Sequence, residues 1–260
     1  MAKERKVVNI TKEDKKSNER FGKDSHGRII KLEDKGDSKK RATTKRIIAF
    51  VLWAVGIFFE VAAILRLKGV INWFSGMSQT TFLIVFLILD CIAVIIGSQF
   101  WKKANHIDPA SEKDQVKFWL HNNLGSIISV IAFLPIIILV LLDKDMDKKN
   151  KTVVTAVAVV ALLLAGITSY DFNPVSSEQL LRAEKEVNAV SETGTVYWAP
   201  NSKKYHVDPD CPSFSRSETI IEGTVKQAFE AGLTDPCRRC IPELEEDTDH
   251  DHDEETKEGN

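Results

Sequence analysis

Four side chains near the C-terminus, His206-x4-Cys211-x25-Cys237-x2-Cys240, have the types and the spacing of a closed metal site. Thiolate sulfur at about 2.3 Å and imidazole nitrogen at about 2.0 Å suit the tetrahedral preference of zinc, and three cysteines with one histidine form a common structural set. Zn2+ is therefore the expected cofactor, held by His206, Cys211, Cys237 and Cys240. A rival chemistry is open to Cys237 and Cys240 alone, because a C-x-x-C pair also serves thiol–disulfide exchange. Such a pair normally opens a helix that lowers its thiol pKa, whereas Pro236 precedes this one and Pro242 follows it.

The neighbouring sequence supplies elements that bring these ligands together. Val196–Trp198 and Lys204–Val207 are β-type runs separated by Pro200-Asn201-Ser202, which predicts a hairpin leading into His206 and Cys211. Thr224-Val-Lys-Gln227 reads as a capping box that opens a helix ending at Gly232, after which Asp235-Pro236 turns the chain into the Cys237–Cys240 knuckle. Residues 193–244 are thus expected to form a small α+β zinc module. A segment this short has little core of its own, so metal binding should supply much of its folding free energy. Arg238 and Arg239, between the knuckle thiolates, would offset part of the site's negative charge.

On these residues Tyr197–Cys240, with Tyr205-His206-x4-Cys211, the helix GTVKQAFEAG and Pro236-Cys-Arg-Arg-Cys240, resembles the metal-binding domain of the Ada alkyl-response protein. It is similar also to related small modules appended to bacterial membrane and nuclease-like proteins. The resemblance covers this stretch alone and implies both the fold and the zinc. It departs at the first ligand. In the Ada domain that position is a cysteine that accepts a methyl group from a DNA phosphotriester; here it is His206, so alkyl transfer is not implied.

The rest of the chain is apolar helix and charged tail. Ile47–Leu65, Phe82–Gly97, Leu124–Leu142 and Val153–Thr168 are apolar runs, and a helix needs about 20 such residues, roughly 17–25, to cross a bilayer. With Trp101 and Tyr170 as interfacial ends the second and fourth runs reach that length, and Trp73 and Trp119 also fall near helix ends, where amphipathic rings sit. The expected fold class is an α-helical membrane protein with four transmembrane helices, at about 47–66, 81–101, 123–142 and 152–170, reading as a bacterial-type polytopic protein. Pro135 should kink the third. Cys91, in apolar surroundings, reads as a small hydrophobe.

Two acids fall inside the runs, Glu60 in the first and Asp90 in the second. A mid-span carboxylate costs on the order of 2.5–3.5 kcal/mol on insertion scales. Antiparallel packing places both at similar depth, so they are a possible intramembrane polar site. Either they line a proton or cation pathway, or each pairs with a hydroxyl or amide across helices, or Glu60 reaches toward Arg66 and the interface.

Charge is segregated along the chain. Residues 1–46 hold sixteen Lys/Arg against eight acids, and residues 243–260 hold ten acids against Lys257 alone. The first stretch reads as a disordered basic tail, and its Lys/Arg excess directs the N-terminus to the cytoplasm. Four crossings then return the C-terminus to that side. Lys144, Lys148, Lys149 and Lys151 in the third loop oppose this orientation. Between the second and third spans, Ser111-Glu-Lys-Asp114 resembles a capping box starting a short helix through Leu120, with Phe118 and Trp119 at the headgroups. Residues 171–192 read as a helical stalk spacing the module from the bilayer. The acidic tail 245–260 carries His250 and His252, a possible weak metal collector or a solvating tail.

These readings combine into a multi-pass plasma (inner) membrane protein with both termini cytoplasmic, whose zinc module is a recognition or regulatory platform. An enzyme is not expected, since no membrane-embedded His/Glu pair, glycine-rich phosphate loop or serine–histidine arrangement is evident. Expected partners are the lipid bilayer and a protein; no basic face supports nucleic-acid binding. The alternative is a small cation or proton transporter, or channel subunit, using Glu60 and Asp90 with the module as metal sensor.

Overall fold

The computed structural model describes residues 6–9, 20–23, 29–32, 35–214, 217 and 219–242. Its helices are α1 (Lys35–Leu67), α2 (Gln79–Ile107), α3 (Gln115–Asn122), α4 (Leu124–Leu142), α5 (Lys148–Ser169), α6 (Ser177–Val190) and α7 (Val225–Glu230). Its strands are β1 (Lys6–Asn9), β2 (Arg20–Lys23), β3 (Ile29–Leu32), β4 (Thr195–Trp198), β5 (Lys204–Tyr205), β6 (Thr219–Thr224) and β7 (Asp235–Pro236).

Four helices, α1, α2, α4 and α5, are long and apolar enough to cross a membrane. In the bundle α2 packs against each of the other three. Its Phe82 and Phe86 stack at 4.0 Å and join Phe133, Ile136 and Val140 of α4 and Ala158 of α5 in a buried core. The opposite faces expose Phe50, Ile92, Leu141 and Leu163. Apolar side chains spread over whole outer faces accord with helices long and apolar enough to cross a membrane. Gly97 lets α1 and α2 approach closely, since a Cβ there would stand 2.8 Å from the Trp53 ring.

At 33 residues and about 1.5 Å per residue, α1 is about 50 Å long, against about 30 Å of hydrocarbon. Its N-terminal turns therefore project beyond the span. This corrects the expectation of a disordered tail reaching residue 46. Lys35–Arg46 is helical because the end of α2 supports it: Ala42 is buried against Ala104 and Ile107, and Arg46 donates to the Asp108 carboxylate at 3.0 Å and carbonyl at 2.9 Å. Strands β1, β2 and β3 also fall within the expected tail; β1 finds its backbone partners on β6, far away in sequence. The other parts of that tail, and the acidic tail with His250 and His252, lie outside the described residues.

Two local expectations change in the same way. Trp101 is not an interfacial ring ending the second span: α2 continues to Ile107, and Trp101 is only 5% exposed, tilted against Trp53 and donating its Nε1–H to the His121 carbonyl at 2.7 Å. Trp73, in the loop between α1 and α2, and Trp119, within α3, are both exposed. The short helix α3 starts at Gln115, capped by Asp114, whose carboxylate accepts from the Lys117 amide at 3.1 Å. Ser111, the expected cap, instead donates to Glu178 of α6 at 2.5 Å, and the Glu112 amide donates to the same carboxylate at 3.0 Å.

Those two hydrogen bonds, the Ser111 hydroxyl foremost, lower the Glu178 carboxyl to about 2. A depressed acid contributes its stabilisation above its unfolded value of about 4.3 and loses it as pH falls through the folded value. The contact between α6 and the loop at Ser111 should therefore loosen between about pH 4.3 and 2. Ser111→Ala should move the Glu178 midpoint upward in a carboxylate titration followed by NMR. An unchanged midpoint would show that the serine does not hold the carboxylate.

Helix α6 lies within the expected helical stalk; Ser176 caps it and Gln179 reaches back to complete a capping box. It is more than a spacer. Ala183 and Val187 are buried in one cluster with Val196, Trp198, Tyr205, Phe229 and Ile241, so α6 supplies part of the core that residues 193–244 lack. Two small sheets complete the region, one ordered β1-β6-β4 and one pairing β5 with β7.

This region also rests on the bundle. Arg41 of α1 forks onto Glu230 of α7 with bonds of 3.1 and 2.8 Å. Nδ1 of His106, near the end of α2, lies 3.3 Å from the Phe229 carbonyl, and its Nε2 is 3.7 Å from Asp171. The Ser177 amide donates to Ala110 at 3.0 Å. Four alternating helices thus place the C-terminal region, the N-terminal turns of α1 and helix α3 at one end of the bundle.

Candidate metal centre

Backbone pairing, not proximity in sequence, assembles the four ligands. Tyr197 of β4 and His206 exchange two hydrogen bonds, at 2.6 and 2.8 Å, which is the expected hairpin closed by Asn201 at φ 64°. Strand β5 lies parallel to β7, and the ladder continues as the Cys237 amide donates to the Tyr205 carbonyl at 2.8 Å. Cys237 therefore arrives beside His206. The knuckle closes when the amides of Cys240 and Ile241 both donate to the Cys237 carbonyl, at 3.0 and 2.9 Å. Cys211 enters from a turn in which Asp208 accepts from the amides of Asp210 and Cys211.

Helix α7 sets the return path. Thr224 and Gln227 form the expected capping box, and Gly232 at φ 85° lets the Leu233 amide return to the Ala228 carbonyl at 2.9 Å. That geometry ends the helix and aims the chain at β7.

The donor atoms of His206, Cys211, Cys237 and Cys240 all lie within 4.8 Å of one another. Around zinc, tetrahedral angles and ordinary bond lengths place two sulfurs about 3.8 Å apart and a sulfur and nitrogen about 3.6 Å apart. Cys240 Sγ and His206 Nδ1 are 3.4 Å apart. That pair stands close to its separation in such a shell, and the remaining donors lie within reach of a common ion. His206 is 4% exposed and Cys211 1%, Cys237 is buried and Cys240 half-buried, with Ala199 and Ile220 packed against the sulfurs. This cluster could hold a metal ion, and its donor set is typical of zinc.

The surroundings favour ligand forms. Burial lowers the His206 pKa, with Asp208 opposing and Lys204 assisting, so the imidazole stays neutral and can donate a lone pair. Burial pushes the Cys237 thiol up, but the backbone amides of Arg239 and Cys240 and the neighbouring thiols outweigh it and leave Cys237 below its ordinary value. Burial, and then the other two sulfurs, push Cys240 up to about 12. Three sulfurs in one pocket cannot all carry charge unless a cation joins them, which is the electrostatic character of a metal cage.

One supporting contact was not legible in the sequence. Arg238, between the two knuckle cysteines, donates to Glu186 of α6 at 2.9 Å, and Glu186 is itself buried. Ala183, Glu186 and Val187 form the buried face of α6, and nothing local in the sequence says what that face meets. The central strand β6 was also missed, although Thr219-Ile-Ile-Glu-Gly-Thr224 is rich in β-branched residues.

Glu60 and Asp90 do not approach the metal cluster; they face each other's helices inside the bundle. Asp90 is fully buried and Glu60 is 5% exposed. Arg66 is not Glu60's partner, because its guanidinium is spread over the next loop, donating to Asn72 Oδ1 at 2.6 Å and to the carbonyls of Ile71 and Met77. Cys91 is buried with its sulfur 3.8 Å from the Ala161 carbonyl.

No family model, curated protein or solved structure matches this chain. Its class therefore rests on its own features: four apolar helices able to cross a membrane and a cluster able to hold a metal ion. Of the expected Ada-like module, the cluster of His206, Cys211, Cys237 and Cys240 that could bind a metal is present, and no match supports a relation to the Ada domain.

Proposed function

We propose that this is a multi-pass membrane protein whose C-terminal module binds structural zinc and serves as a recognition or regulatory platform. The buried His/Cys3 cluster carries the reading. Four protein ligands fill a tetrahedral shell and leave no position for a reacting water, so the module acts by presenting a surface and not by catalysis. Zinc would be held by His206, Cys211, Cys237 and Cys240, and the module would have the Ada-like fold implied by its ligand order. The Lys/Arg excess before Ile47, ending in Arg41, Lys45 and Arg46, favours the inner face of a bacterial plasma membrane for both termini, where thiols stay reduced. The partner is a protein that meets the module at the membrane surface.

The contacts of Arg41 with Glu230 and of His106 with the Phe229 carbonyl support a regulatory role, because metal-dependent order in the module would be felt where the spans end. Hydrogen exchange of the full chain in detergent, with zinc and after chelation, tests this. Faster exchange on metal loss in α6, α7 and the C-terminal turns of α2 supports the platform reading. Change confined to Cys211 and the knuckle would sink it.

A second reading, favoured by the two buried acids, is a small proton or cation transporter in which the module senses metal. Glu60→Gln and Asp90→Asn should then abolish ion flux in proteoliposomes. A parent protein that carries no flux would remove this reading and leave the first intact.

A further inference from the structure

Asp90 is 0% exposed and neither of its carboxyl oxygens has a hydrogen-bond partner among the described residues; Oε1 of Glu60 is likewise buried and unpartnered among them. Gly56 creates their meeting place. The point where a Cβ on Gly56 would stand is 2.6 Å from Asp90 Oδ1, so only a residue without a side chain lets this carboxyl enter the face of α1. Glu60 lies four residues further along the same face, about 6 Å of axial rise away. The two carboxyl groups therefore occupy one stretch of the α1–α2 seam, within the span.

Leaving two carboxylates unpaired in hydrocarbon is prohibitive, so something must neutralise them. The basic side chains nearest the span are engaged elsewhere. Arg66 is bound to the loop after α1, Lys102 donates to the Thr168 carbonyl at 2.7 Å, and Lys151 donates to the carbonyls of Leu141 and Asp143. No hydroxyl among the described residues bonds these buried oxygens: Ser98 donates to the Val94 carbonyl at 2.8 Å, Ser129 donates to the Ser126 carbonyl at 2.7 Å, and the buried Thr155 hydroxyl has no partner. The atoms that Gly56's notch admits besides Asp90 are the methyl groups of Val94 and Ala93.

This poverty of donors decides between cations. Calcium takes six to eight oxygen ligands and magnesium about six, and a helical backbone has already used its carbonyls. A proton needs only the carboxyl oxygens themselves. We propose that Glu60 and Asp90 form a proton-binding site in the α1–α2 seam, kept electroneutral by bound protons and set in place by Gly56. The inference deepens the transport reading without requiring it, since a proton site can be static or can exchange with one face.

The test is infrared spectroscopy of the full chain in lipid nanodiscs at neutral pH, recording the carbonyl stretch of un-ionised carboxylic acid and its shift in heavy water. The signal should be present in the parent protein and unchanged by added sodium, potassium, calcium or magnesium. It should weaken in Asp90→Asn and vanish in Asp90→Asn/Glu60→Gln. Absence of un-ionised acid at neutral pH, or its loss on addition of one metal cation, would overturn the proposal. The cation titration uses the parent alone, so it decides the matter even if a variant does not fold. A positive signal in a protein without proton flux would keep the site and remove transport.

Discussion

His206→Ala and Cys240→Ser in the full-length protein are expected to abolish retention of the single zinc that the parent chain should carry through purification. Structural zinc supplies apparent free energies of about 10–16 kcal/mol in small modules at neutral pH, more than the total stability of most domains. The donors are prearranged, with Cys240 Sγ 3.4 Å from His206 Nδ1, yet three sulfurs held within 4.8 Å of one another and the imidazole gain nothing from that closeness without a cation. Losing one ligand should thus cost more than the local contacts can replace. Chelation of the parent should make Cys211, Cys237 and Cys240 reactive to thiol reagents and quench the tertiary signal of buried Trp198, leaving the four spans intact. Metal-free purified protein with a Cys237–Cys240 disulfide would reverse the reading and favour redox chemistry.

The same geometry says which piece of chain should be tested. A segment beginning near Ser191 contains every ligand, but it discards α6, whose Ala183 and Val187 complete the module's core. It also discards Glu186, the partner of Arg238 in the knuckle. Failure of that segment to hold metal would report a missing helix, which is why the full chain is the proper subject.

The sequence disclosed what depends on local pattern. Apolar runs of membrane length, the capping box at Thr224, the turn through Asn201 and the ligand spacing are all readable over a few neighbouring residues. It concealed what depends on distant partners. Lys35–Arg46 looks like a solvated charged tail until Asp108 and Ala104 are placed beside Arg46 and Ala42. Ser111 looks like a helix cap until Glu178 offers it a carboxylate. Trp101 looks like an interfacial anchor until Trp53 and the His121 carbonyl enclose it. At the candidate site the ligands were legible because metal coordination restricts residue type. The strand pairing that brings Cys237 to His206 was not, because a parallel two-residue ladder between Lys204–Tyr205 and Asp235–Pro236 leaves almost no compositional trace.

Phe229→Ala is the substitution outside the ligands from which the largest effect is expected. Phe229 is 1% exposed at the centre of the cluster that joins α6, β4 and α7, and its ring lies 6.3 Å from that of Tyr205, the residue before His206. Truncating a buried phenylalanine costs about 3–5 kcal/mol through lost transfer energy and the cavity left behind. Folding of so small a module is linked to metal binding, so the loss should appear in apparent zinc affinity. At about 1.4 kcal/mol per tenfold change, the expected weakening is from about a hundredfold to a few thousandfold, measured by competition with a chromophoric chelator. Phe229→Leu, which keeps most of the volume, should recover much of it. The ligands themselves are untouched by either change. An affinity equal to the parent's in Phe229→Ala would mean that the cage is held by its own turns and strands, and that the core contributed by α6 and α7 serves only to dock the module on Arg41 and His106.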